Sequence, residues 1–230
     1  TATLLKETDT CYACTVRCPR GIITSENMRL LRKWQSSAGL EMPESVTKLR
    51  DTVTTSYNIS GDDNARRLIW SENLDQAPAS LQPRTGADYV LFTGCVSSFY
   101  PMTYSIPQAF VQILEKAGIS YTTMGGEEWC CGYPLIIAGM GSRIEEAIRH
   151  NVEAVRSTGA RSLITTCPSC YHTWRHEYPK VMGEPLGFEV VHAAELLDDL
   201  IRERRIELKG YSQPVTYHDP CDLGRNSGVY

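Results

Sequence analysis

The sequence predicts an α/β fold, a parallel sheet with helices on both faces, and three observations predict it. From Tyr89 onward, short apolar runs alternate with longer segments of helical period. The apolar runs are continuous rather than alternating with polar residues, which is the pattern of strands buried on both faces. Glycines such as Gly118 and Gly159 close the helical segments.

Taken in order, residues 89–92 read as the first strand, ending at Gly94-Cys95, and residues 106–116 as the helix that follows it. Residues 120–123 are the second strand, 143–156 a helix, 162–165 a strand, 171–178 a helix and 189–191 a strand. A last helix spans 193–205 and a last strand 215–217. In open parallel sheets ligands gather at the carboxyl ends of strands. Cys95, Cys167 and Cys221 follow three of these strands, where a site is expected.

Upstream the pattern changes. Met28, Leu30, Leu31 and Trp34 recur at helical spacing, Pro43-Glu44-Ser45 can open a second helix, and Gly39 and Gly61 punctuate the stretch. Residues 75–86 carry two prolines and little apolar pattern, a linker. The expected organisation is a cysteine-bearing segment at 1–22, a helical connector and linker at 23–86, the α/β domain at 87–213, and a further motif opening at 214–230.

With 230 residues, 42% apolar and 22% charged, the composition is that of a globular chain. A formal charge of −4 with no Lys/Arg block argues against a nucleic-acid partner, and no apolar run is long enough for a transmembrane segment of its own. The residues from Thr1 to Glu7 have neither the basic start nor the apolar stretch of a signal peptide. Motifs lie close to both termini, so the chain reads as a fragment. Nine clustered cysteines favour metal ligation over a disulfide framework and point to a reducing, cytoplasmic compartment.

The first group is Cys11-x2-Cys14-x3-Cys18-Pro19, the last three cysteines and the proline of a bacterial ferredoxin run, with Thr8 where the first cysteine stands. Either a ligand comes from elsewhere, or the segment holds a three-iron cluster or none. Tyr12 and Val16 are expected to pack around it. A zinc knuckle is the alternative, but it needs a fourth ligand and the nearest histidine in sequence is His150.

The second group is Cys95-x34-Cys130-Cys131-Gly132-x35-Cys167-x2-Cys170. Five cysteines exceed the four that tetrahedral zinc accepts, which favours a multi-iron cluster. The spacing resembles the cysteine-rich "CCG" domain of heterodisulfide reductases and of related iron–sulfur oxidoreductase subunits, a domain that usually occurs twice. The stretch from His218 through Cys221 to Arg225 resembles the opening of the second copy. The stretch from Cys11 to Ile22 resembles the electron-transfer subunit of heterodisulfide reductase, and Cys167-Pro168-Ser169-Cys170-Tyr171 with Glu177-Tyr178-Pro179 its catalytic subunit. That fused order is similar to the membrane-associated heterodisulfide reductase subunit and to a related subunit of the sulfite-reductase-associated membrane complex.

The resemblance implies a Rossmann-like parallel sheet and a non-cubane [4Fe-4S] cluster held by Cys95, Cys130, Cys131, Cys167 and Cys170. It also implies a cubane [4Fe-4S] cluster at Cys11, Cys14 and Cys18 that feeds it. The expected activity is reduction or oxidation of a disulfide or thiol substrate, a heterodisulfide or a cysteine-bearing protein carrier. Expected partners are other redox subunits of a complex, such as a membrane cytochrome or a flavoprotein subunit, which would place the chain in the cytoplasm or against the inner face of the membrane. An electron-relay subunit of a flavin-dependent hydroxy-acid dehydrogenase and a structural zinc scaffold are the alternatives.

Among other candidates, His218 could donate a proton near the cluster, beside the plainer reading of a hydrogen-bonded loop histidine. Cys221 is either a metal ligand of the second motif or a buried thiol. Trp129 is expected to shield the cluster from water, and His172 and His176 to lie on a solvated helical face rather than share a metal. Gly139-Met140-Gly141 lacks the third glycine of a dinucleotide loop and reads as a turn before the helix at 143.

Overall fold

The structure, a computed structural model, describes residues 8–40 and 42–230. Four strands form one all-parallel sheet: β1 Tyr89–Phe92, β2 Tyr121–Thr123, β3 Ser162–Thr165 and β4 Glu189–His192, in the order β2-β1-β3-β4. The register pairs Val90 with Thr122 on one side and Leu163 on the other, and Leu163 with Val190.

Successive side chains of a strand point to opposite faces, and the two cores follow that period. Val90, Phe92, Leu163 and Val190 pack under helix α7, Glu145–Thr158, with Trp174 and Tyr178. Leu91, Ile164 and Val191 face the other way, onto α5, Ser105–Lys116, and α10, Ala193–Arg202. Continuous apolar strands are thus explained by helices on both faces, as the sequence predicts.

Before the sheet, the described residues form the α-helices α1 Ala13–Val16, α2 Thr24–Ser37 and α3 Glu44–Ser56, the last opened by Pro43. The helical spacing in α2 is real, but its apolar row faces outward, with Leu30 and Trp34 each 61% exposed. The buried side of α2 is polar because it meets the cysteine segment, where Thr15 and Ser25 share a hydroxyl contact at 2.8 Å. From residue 57 the chain runs through short turns that pack onto the sheet. Trp70 and Leu81 are buried in the α5–α10 core, each contributing about 1.5–3 kcal/mol by burial.

The remaining helices are α4 Cys95–Phe99, α6 Tyr133–Ile137, α8 Pro168–His172, α9 Tyr178–Met182 and α11 Gly224–Ser227. Between α8 and α9, residues Thr173–Glu177 widen into a π turn, so the helix predicted for 171–178 is a composite. Pro179 supplies a cause, since it has no N–H to continue the ladder.

The strand predicted at 215–217 does not form. Val215 is 80% and Tyr217 76% exposed, and neither pairs with a strand. The β-favouring Val-Thr-Tyr follows Pro214, which cannot donate to a ladder, and strand propensity without a paired neighbour has nothing to act on.

Candidate functional site

The strand order places β1 and β3 side by side with connections leaving in opposite directions, the topological switch point where open α/β sheets bind ligands. The loops after these two strands carry Cys95 and Cys167. Cys95 opens α4 directly after Gly94, whose φ of +79° is open to glycine but strained for other residues. A Cβ on Gly94 would also sit 3.2 Å from the Cys170 sulfur, so the position admits close sulfur approach only as glycine. Cys167 is the N-cap of α8, and its sulfur accepts from the Cys170 N–H at 3.4 Å.

Cys130 and Cys131 arrive on the segment between β2 and α6, which is anchored from two sides. The Cys130 N–H donates to the Tyr57 carbonyl at 2.7 Å. Asn151 of α7 is fully buried, accepts from the Trp129 N–H at 2.9 Å, and donates to the Trp129 carbonyl at 3.1 Å and the Tyr178 hydroxyl at 3.0 Å. Gly132 then turns the chain with φ +84°, and its N–H donates to the Cys130 sulfur at 3.4 Å.

All five predicted cysteines line one cavity of about 330 Å³, together with Ile59, Val96, Ile106, Tyr133 and Ser169. Cys95, Cys130, Cys131 and Cys170 are buried, Cys167 is partly exposed, and all are free thiols. The Cys131 and Cys170 sulfurs are 3.4 Å apart. Among the described residues no three His, Cys, Asp or Glu side chains are arranged to hold a single metal ion. The thiols neighbour one another in a row, Cys95, Cys130, Cys131, Cys170 and Cys167, within which Cys170 donates to Cys131.

Their proton affinities follow from that row. Hydrogen bonding to Cys130 and burial push the Cys95 thiol well up, and hydrogen bonding to Cys131 raises Cys130. Cys131 is held low because Cys130 and Cys170 donate to it, Cys167 is lowered by its bond with Cys170, and Cys170 is raised by both neighbours. Adjacent buried thiols cannot all ionise on their own, because like charges at such separations repel strongly in a low dielectric. Five sulfurs around one cavity therefore fit a multinuclear cationic group, which would let each become a thiolate ligand.

The polar support of the site has no counterpart in the sequence pattern. Glu128, buried, accepts from the backbone N–H groups of Thr93 and Gly94, both at 2.9 Å, and from Arg67 Nη1 at 2.8 Å. Burial raises the Glu128 carboxyl, against the opposing pull of Arg67 and the two amides. Buried Arg and Glu carry no local signature, since both residue types are exposed by default.

The other predicted residues lie elsewhere. Trp129 does not line the cavity: its ring is stacked between Tyr57 and His150, 3.6 Å from each, so it braces the loop rather than shielding sulfur. His172 is buried, not solvated, at the end of α8, where the C-terminal motif covers it; its ring lies 4.9 Å from that of His176, and its Nδ1 meets Ser227 Oγ at 3.1 Å. His218 is exposed and is not part of the cavity lining. Cys221 also stands outside the cavity, on the side of the N-terminal segment: Cys11 adds to the rise of its thiol, after burial and Asp222, and Arg225 donates to the Cys11 carbonyl at 2.9 Å. Asp222 itself accepts from Ser169 Oγ at 2.6 Å, which ties this C-terminal motif to the cavity rim.

In the N-terminal group Cys14 is exposed and Cys11 and Cys18 partly so. Tyr12 donates to Glu26, and Arg29 pairs with both Glu26 at 2.9 Å and Glu177 at 3.1 Å, which docks this segment on the π turn. Val16, expected to pack around a cluster, is 59% exposed. No helix among the described residues is long and apolar enough to cross a membrane.

Comparison with known proteins gives similarities to iron–sulfur oxidoreductases. The model of the cysteine-rich domain CCG matches residues 89–175. Over 225 residues the chain is 35% identical to a subunit of the dihydromethanophenazine:CoB–CoM heterodisulfide reductase of Methanosarcina mazei, covering 96% of this chain and 53% of that protein. It is 32% identical over 228 residues to the EtfAB:quinone oxidoreductase of Syntrophomonas wolfei, covering 96% and 31%. It is 29% identical over 224 residues to a subunit of the fumarate reductase (CoM/CoB) of Methanothermobacter marburgensis, covering 96% and 41%. The chain thus spans about half the length of the curated heterodisulfide reductase subunits it matches, and less of the others. No solved structure matches. Residues 89–175 belong to the CCG family of cysteine-rich domains, in a chain similar along nearly its whole length to a heterodisulfide reductase subunit and to related iron–sulfur oxidoreductases.

Proposed function

We propose that this chain is the iron–sulfur subunit of an oxidoreductase complex that reduces or oxidises a disulfide-type sulfur substrate at the cavity between β1 and β3. The observation that carries the reading is the gathering of Cys95, Cys130, Cys131, Cys167 and Cys170 around one cavity with room beside them. A non-cubane [4Fe-4S] cluster held by these five would supply single electrons and an iron able to take a sulfur ligand. The chain's own contribution is to hold the sulfurs in place and to offer an apolar wall, Ile59, Val96 and Ile106, to the organic part of the substrate.

The balance is R–S–S–R′ + 2 e⁻ + 2 H⁺ → R–SH + R′–SH: the S–S bond breaks, each sulfur takes one electron and one proton, and a one-electron donor subunit is oxidised twice. In this reading the segment with Cys11, Cys14 and Cys18 feeds electrons to the site, and α2 beside it is tied to the π turn by Arg29 and Glu177. The similarity to an EtfAB:quinone oxidoreductase favours a second reading, a relay cluster that passes electrons without binding substrate.

Iron and acid-labile sulfide analysis, followed by freeze-quenched EPR after addition of a heterodisulfide or thiol, tests both. A substrate-induced signal supports disulfide chemistry, and an unchanged spectrum supports the relay. Zinc without sulfide would sink both in favour of a structural scaffold.

A further inference from the structure

Arg67 comes from the connector upstream of the cysteine-rich domain, yet its guanidinium, 1% exposed, stands against the site. Each edge of the fork is occupied. Nε donates to Asn64 Oδ1 at 3.1 Å, Nη1 to Glu128 Oε1 at 2.8 Å and Nη2 to Cys95 Sγ at 3.4 Å, and the Phe99 ring lies 5.2 Å from the guanidinium carbon. Asn64 is itself fixed: it donates to the Ser56 carbonyl at 2.9 Å and accepts from Asn58 at 3.0 Å, and Asn58 is fully buried.

An ion pair with Glu128 accounts for one edge of the fork only. Glu128 also accepts from the amides of Thr93 and Gly94, so its charge is shared with the loop that presents Cys95, while the guanidinium turns its remaining edge to the sulfur. A buried cation that donates N–H to a ligand sulfur favours the more negative, reduced state of an iron–sulfur group, and hydrogen bonds to ligand sulfurs are among the protein's means of setting its potential.

We infer that Arg67 is a positioning residue that raises the reduction potential of the cluster held at Cys95, through a hydrogen bond and a buried positive charge delivered from outside the cysteine-rich domain. The inference rests on the reading that the five cysteines hold an iron–sulfur cluster.

The test is an EPR-monitored redox titration of the iron- and sulfide-loaded chain, with metal and sulfide content measured on each sample. Arg67→Gln is paired with Glu128→Gln so that no carboxylate is left buried alone. The paired variant is expected to load iron and sulfide as the wild type does, and its one-electron reduction equilibrium is expected to fall tenfold or more, which is about 59 mV. If the paired variant does not load, Arg67→Lys decides. It keeps the charge but cannot reach Glu128 and Cys95 together, so a lowered potential supports the role. Equal potentials in loaded wild type and variant overturn the inference while leaving the cluster reading intact. A wild type that takes up no sulfide overturns both.

Discussion

A Cβ built on Gly132 falls 2.0 Å from Cδ1 of Ile144, at the point where the chain turns away from the paired cysteines. Gly132 has φ +84°, and Ile144 is 2% exposed in the core under α7. Gly132→Ala therefore combines a backbone penalty of about 1–2 kcal/mol with overpacking of about 1–3 kcal/mol. Chemical denaturation is expected to show destabilisation of that size, with iron loading reduced. The double variant with Ile144→Val is expected to recover the packing part only, a non-additivity that a double-mutant cycle reads directly.

Asn151 holds both the Trp129 backbone and the Tyr178 hydroxyl. Asn151→Ala would orphan the Trp129 N–H and carbonyl inside the protein, at about 1–3 kcal/mol for each group left unsatisfied. The predicted outcome is a lower unfolding midpoint together with slower, incomplete uptake of iron and sulfide, because the loop bearing Cys130 and Cys131 loses its anchor on α7. Full iron uptake in Asn151→Ala would show that the tie to the Tyr57 carbonyl suffices.

The five-cysteine set can be separated from Cys221 by loading. Cys131→Ser and Cys170→Ser should each remove the iron and sulfide of one cluster, since their sulfurs stand at the centre of the row, 3.4 Å apart. Cys221→Ser should leave the metal content unchanged, because that thiol lies outside the cavity lining. Iron loss in Cys221→Ser would show instead that the thiol beside Cys11 is a ligand.

Stability should fall on the acid side in two stages. Burial, reinforced by His172, Arg175 and Lys180 and opposed by Glu177, pushes His176 down to about 4. A histidine with a depressed folded value takes up protons more readily when unfolded, so its contribution is present above the ordinary value of 6.5 and is lost as pH falls towards 4. His176→Gln should flatten the stability profile in that window. Melting temperatures that run parallel for wild type and variant between pH 6.5 and 4 would refute it.

Glu177 supplies the second stage. Burial pushes its carboxyl up, but Arg29 and Lys180 outweigh burial and hold it below the ordinary 4.5. Its contribution is present above 4.5 and is lost as pH falls through the lower folded value. Arg29→Met removes the tie between α2 and the π turn, a partly buried pair whose loss is expected to cost about 1–3 kcal/mol at neutral pH. Limited proteolysis should then cut between residues 8 and 40 sooner than in wild type.

Much of the fold was legible along the chain. Strands Tyr89–Phe92 and Ser162–Thr165 fall where continuous apolar runs predict them, because a strand buried on both faces writes its burial directly into consecutive residues. The 215–217 segment has the same local look but no neighbour to pair with, and pairing is a property of the sheet. His172 departs from its expected solvated face for a similar reason. Ser227 of the C-terminal motif covers its ring, and a contact between residues 55 apart leaves no mark on local helical spacing.

The sequence by itself determined the α/β class and the position of Cys95 and Cys167 directly after strands, since these depend on residue type, spacing and period. Only the tertiary structure decided which glycine must stay bare against Ile144, and which arginine reaches a sulfur. It also set Trp129 away from the cavity and left His218 and Cys221 outside it. The physical reason is that apolar burial repeats locally in sequence, whereas a buried charge such as Arg67 is defined by its partner Glu128, and the two meet only once the connector has packed onto the sheet.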